Sequence, residues 1–159
     1  MLTNAVFLVG LMLISMLDQL DLGARLNKDE ISGRSQECAA TPSQTYPCEF
    51  LTVEGVHVAV GYQRESLRVK YLSIQDKHFK TKDGLQVGAK MTVGEDQPVA
   101  IPGWKILGPR AKSGWRPVFG YFGEKVKFSD GTVVDLSQPR RDPPRTGELE
   151  ILELEKGGV

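Results

Sequence analysis

Between Thr52 and Tyr62 the chain alternates: Val56, Val58, Val60 and Tyr62 share one parity, while His57, Ala59 and Gly61 share the other. A period of two marks a half-buried strand, because successive side chains of an extended backbone point to opposite faces. Gly55, inside this run, is a candidate bulge. The polar stretch Gln63 to Ser66 reads as a turn, after which Leu67, Val69 and Tyr71 alternate with Arg68 and Lys70 as far as Ile74. The two runs predict a hairpin.

A second turn centres on Asp83-Gly84 and leads into the short alternation Leu85-Gln86-Val87. From Gly94 to Gly120, glycine or proline recurs at nine positions, which leaves no room for a helix of ordinary length. Short strands are predicted around 99–101, 104–107 and 115–121. The last hairpin pairs Lys125 to Phe128 with Val133 to Leu136, and Asp130-Gly131 supplies the positive φ of a two-residue type I′ turn. Beyond it, Leu149, Ile151, Leu152 and Leu154 stand among glutamates at a mixed spacing that leaves a closing edge strand and a short helix both open. Short strands with turn signals at near-regular intervals predict a mainly β fold, a small antiparallel barrel or sandwich.

The N-terminus follows another pattern. Ala5 to Leu17 is apolar except for Ser15, a length that suits the hydrophobic region of a signal peptide and falls short of the roughly 20 residues of a spanning helix. Met1 to Asn4 carries no Lys or Arg, whereas Arg25 and Lys28 follow the run. Leu13, Leu17 and Leu20 continue at helical spacing. Three readings stay open: a signal peptide, an uncleaved membrane anchor, and an N-terminal apolar helix packed on the domain or on a partner. The chain then divides into a signal peptide or membrane anchor at 1–24, a linker at 25–49, a β-rich domain at 50–137, and a basic Pro-rich linker with an acidic tail at 138–159.

Cys38 and Cys48 enclose AATPSQTYP, a stretch of turn-forming residues that a disulfide would close into a small loop. An even cysteine count beside an apolar leader points to an oxidising, extracytoplasmic location, whether periplasmic, secreted or membrane-anchored. The alternative is a pair of free thiols in a cytosolic protein.

Charge changes the picture only locally. Lys plus Arg equals Asp plus Glu over the whole chain, but residues 100–145 carry net +5 and residues 146–159 net −3. A basic face with an acidic tail fits either an anionic partner or a tail lying on its own domain. Trp104, Lys105, Arg110, Lys112, Trp115 and Arg116, followed by Phe119, Tyr121 and Phe122, form the most distinctive surface candidate. Flat rings beside cations can hold an anionic ligand or another protein, and the bland alternative places both tryptophans in the core. Export argues against nucleic acid as a partner; membrane contact would run through residues 5–17.

Catalytic signals are sparse. Asp76, His78 and Asp83 lie near one another, and His57 follows Glu54 by three positions, so a small hydrolase or transferase would use His57, Asp76 and His78. Lys77, Lys80 and Lys82 beside them oppose a bound cation, and the spacing of Cys38, Cys48, His57 and His78 matches no compact zinc site. No phosphate-cradling glycine loop, nucleophile elbow or metalloprotease helix occurs. The residues imply no metal and no cofactor.

The stretch from Ile74 to Gly88, with Phe79, Thr81, Gly84, Leu85, Val87 and Gly88, resembles the pattern F-x-T-x-x-G-[IL]-x-V-G of uncharacterised exported bacterial proteins. The resemblance implies a bacterial, extracytoplasmic setting and carries over no site residue. The reading that joins leader, cysteine pair and sparse catalytic signals is a non-catalytic extracytoplasmic binding or interaction module. The alternatives are the small hydrolase or transferase, and a cytosolic subunit docking through its N-terminal helix.

Overall fold

A computed structural model describes residues 20–32, 36–94, 105–121, 124–128, 131, 133–135 and 147–158. Within them eleven strands follow in chain order: β1 (Glu37–Thr41), β2 (Gln44–Val53), β3 (Val56–Tyr62), β4 (Val69–Ile74), β5 (Lys90–Val93), β6 (Lys105–Leu107), β7 (Arg116–Tyr121), β8 (Lys125–Lys127), β9 (Val133–Asp135), β10 (Gly147–Glu150) and β11 (Glu153–Lys156). Seven of them form one antiparallel sheet in the order β1-β2-β3-β4-β11-β7-β6, curled into a half-barrel. Two small ribbons, β5 with β10 and β8 with β9, complete the mainly β architecture.

The expected alternation becomes the two faces of this sheet. Val60 pairs with Leu72, and Ile74 with Leu154, so these side chains join Val56 and Val58 in the apolar core on one face. Ile106, Trp115, Phe119 and Phe128 extend that core, with Trp115 meeting Phe79 edge-on at 5.4 Å between ring centroids. Ala59, Gly61, Tyr71, Ser73, Glu153 and Glu155 take the opposite parity and face the other way. Gly61 is needed there, because a Cβ would lie 3.0 Å from that of Tyr71 and 3.2 Å from that of Tyr46.

Several expectations change. The expected run from Thr52 to Tyr62 is two strands: Glu54 and Gly55, both with positive φ, form the two-residue turn of the β2–β3 hairpin, so Gly55 marks a turn and not a bulge. In the last hairpin Lys127 pairs with Val133, one register step away from the two-residue turn expected at Asp130-Gly131; Phe128 drops out of the ladder and is buried in the core.

The N-terminal apolar helix falls on residues 1–19, outside the described residues. Among the described residues there is no α-helix, only a 3₁₀ turn at Lys28–Glu30, and no helix long and apolar enough to cross a membrane. Gly23 N donates to Val69 O and Val69 N to Ala24 O, so the fold already includes residues placed in the expected 1–24 leader. The expected linker at 25–49 holds the buried Leu26, all of β1 and the first half of β2.

Cys38 and Cys48 form a disulfide across the β1–β2 hairpin, with 5.5 Å between their Cα atoms. The largest change concerns the acidic tail. It forms β10 and β11, and β11 lies in the sheet interior between β4 and β7, not at an edge.

Two stability measurements follow from this arrangement. Reduction of the disulfide should lower the unfolding free energy by roughly 3 kcal/mol, read from denaturant midpoints with and without reductant. Leu154→Ala, in a fully buried position, should cost about 2–5 kcal/mol in the same assay. Exposed Leu22→Ala should stay within about 0.5 kcal/mol, a contrast that a peripheral tail would not produce.

Candidate functional site

Seven strands spaced about 4.8 Å apart, laid flat, would set the outer two roughly 29 Å from each other. Here Cys38 and Ala39 of β1 and Lys105 of β6, the two outer strands, line one pocket of about 490 Å³. The sheet therefore curls around the face opposite the apolar core, and the pocket occupies its concave side. Ala59 contributes apolar wall, and Phe50, paired with it across β2 and β3 and 66% exposed, lines the same pocket, whereas the Leu51 and Val58 side chains belong to the core face. Tyr71, Ser73, Gln75, Tyr121 and Lys105 add polar groups, with Thr52, His57 and Asp76 alongside.

Behind those polar groups lies a buried network. Lys105 Nζ is 2.7 Å from Glu155 Oε2, and both residues are at most 3% exposed. Tyr71 Oη lies 3.1 Å from Glu155 Oε2 and 3.3 Å from Glu153 Oε1, within donating reach of either. Tyr121 Oη donates to Glu153 Oε2 at 2.6 Å, and Ser73 Oγ donates to Glu153 Oε1. Burial, and after it the negative charge of Glu153, push both phenols above their ordinary range; Glu155 adds to the effect on Tyr71. Both tyrosines are accordingly neutral donors to carboxylates.

At the side of the pocket Asp76 ties loop to strand. Its carboxylate accepts from the backbone N–H of His78 at 2.9 Å and of His57 at 3.0 Å, and the His78 ring approaches to 2.7 Å. These contacts, the His78 backbone first, hold Asp76 down to about 2. Asp83 is lowered to about 2 as well, by the Thr81 hydroxyl and then the Ser113 N–H. The His57 ring instead meets Thr52 Oγ1 at 3.0 Å. His57 lines the concave pocket and His78 a second one near Trp115, so the two rings open onto different cavities.

The aromatic and basic stretch is distributed over both faces of the sheet. Trp104 and Phe122 lie outside the described residues. Lys105 is in the buried network, whereas Trp115 and Phe119 belong to the core on the other face. Lys156 Nζ sits 5.0 Å from the centroid of the Trp115 ring, covering it. Arg116 is half-buried, its Nε donating to Gly108 O, and Arg110 and Lys112 are exposed. The acidic tail neither lies over the domain nor stands free of it, because its residues are the strands β10 and β11 themselves.

Sequence reasoning missed Phe50, Tyr71, Ser73, Glu153 and Glu155 as site residues. The signal was the shared parity of Tyr71 with Ser73 and of Glu153 with Glu155, each opposite an apolar neighbour. Among the described residues no group of three His, Cys, Asp or Glu side chains is arranged to hold a metal ion.

The lowered carboxyls set a pH dependence. A carboxyl depressed in the folded state adds stability above its unfolded value near 4, and that contribution disappears as pH falls towards 2. Denaturation midpoints measured from pH 6 to pH 2 should therefore fall below pH 4. Asp76→Asn and Asp83→Asn should each flatten that fall. No known protein family, curated protein or solved structure matches this chain.

Proposed function

We propose that the chain is a non-catalytic binding module of an extracytoplasmic compartment that takes a small, largely apolar ligand into the concave pocket of its half-barrel. The observation that carries this reading is the pocket: about 490 Å³, lined from both outer strands of the curled sheet, with apolar wall, a few convergent polar groups and the exposed ring of Phe50. An exposed aromatic ring at a cavity of this kind supplies contact area to a ligand at little conformational cost. The Cys38–Cys48 disulfide is consistent with an oxidising compartment. The apolar run at residues 5–17 and the Phe79 to Gly88 segment support an exported, bacterial setting.

The test uses N-phenyl-1-naphthylamine, an uncharged probe whose emission rises in apolar surroundings. The protein should enhance its fluorescence saturably, and Phe50→Ala should weaken the affinity at least fivefold while leaving the thermal midpoint within a degree or two. Equal affinity in the variant, or no saturable signal at all, would remove the concave pocket as the binding site.

A further inference from the structure

The direction of the hydrogen bonds beneath the pocket goes one step further and names a ligand chemistry; the step rests on the binding reading above. Ser73 and Tyr121 both line the cavity, and both hydroxyls direct their only hydrogen to Glu153. Tyr71 Oη, also at the cavity, directs its hydrogen to Glu153 or Glu155. A hydroxyl has one hydrogen and two lone pairs, so once the hydrogen is committed to a carboxylate the oxygen offers only acceptor capacity elsewhere. Ser73 and Tyr121 at one end of the pocket thus present acceptor oxygens, while Tyr71 Oη already accepts from Lys105 Nζ at 3.4 Å, and the carboxylates behind them strengthen that polarity.

The charges point the same way. Lys105 also lines the pocket, but its ammonium is matched by Glu155 at 2.7 Å, and Arg116 stands beside the same carboxylate in the sheet, which leaves Glu153 and Asp76 to set the sign of the field. Among the described residues no cation lies within ion-pair distance of Glu153, although that residue is only 3% exposed. Asp76 adds another carboxylate at the pocket, where the His78 ring is its ring partner. An incoming carboxylate or phosphate would meet lone pairs and a buried negative charge, whereas an N–H donor carrying positive charge would meet both favourably. The remaining wall carries the apolar side chains of Phe50 and Ala59.

We infer that the concave pocket selects a primary ammonium carried on an apolar body and turns away carboxylates of the same size and shape. A matched series separates this chemistry from the binding reading itself. Octylammonium, octanol and octanoate are titrated at pH 7 into the full, disulfide-bonded protein, and amide shifts are followed by two-dimensional NMR. Octylammonium should bind at least tenfold more tightly than octanoate, with octanol between them, and the shifts should concentrate at Phe50, Ala59, Tyr71 and Ser73. If octanoate matches or exceeds octylammonium at those same amides, the ligand chemistry is overturned and the binding site stands. If none of the three moves those amides at millimolar concentration, both the chemistry and the site fall.

Discussion

The fold depends on where two carboxylates and one ammonium can be buried. Taking an ion out of water costs several kcal/mol even after the protein relaxes, and that cost is offset only if a partner and further hydrogen bonds are in place. Glu153 and Glu155 find Lys105, Tyr71, Ser73 and Tyr121 on the concave side of the sheet. A slip of β11 by one residue would turn both carboxylates into the apolar core and lift Leu154 out of it. The network therefore fixes the register of β11 against β4 and β7, and through them the order of the whole sheet. Breaking the Lys105–Glu155 pair from one side would strand a charge in the interior, so the pair specifies the arrangement more than it adds net stability.

A division of labour between the two faces follows. The core face is filled in the ordinary way by Val58, Val60, Leu72, Ile74 and Leu154. The concave face holds small residues, Ala59 and Gly61, beside large polar ones, a mixture that leaves both a cavity and a hydrogen-bonded end to it. Curvature is what turns this face into a site, since Cys38 and Lys105 belong to strands six places apart in the sheet order yet line the same space. The disulfide constrains β1 against β2 at that rim.

How far the sequence disclosed this varies along the chain. The β3–β4 hairpin was legible because Val56 to Tyr62 and Val69 to Ile74 are both long enough to show their parity, with a polar turn between them. The disulfide was legible from two cysteines around a turn-rich stretch. What stayed hidden was non-local. Glu153 and Glu155 read as solvated charge, and only the three-dimensional approach of Lys105 and Tyr71, many residues earlier, makes their burial affordable. Lys105 was misread for the complementary reason: next to a tryptophan in a basic stretch, it looked like surface. The pocket draws on six strands, so no local window contained it. Glu54-Gly55 was a local signal, but the strong alternation on either side masked it as a flaw in one strand when it was the turn between two.

The position of β11 also constrains the order in which the chain can mature. Strands β4 and β7 are separated by about 40 residues and share no ladder; each pairs with residues 153–156. As the polypeptide emerges from the ribosome, the sheet stays split into two unsealed halves, β1 to β4 on one side and β6 with β7 on the other, until residues 153–156 have been made.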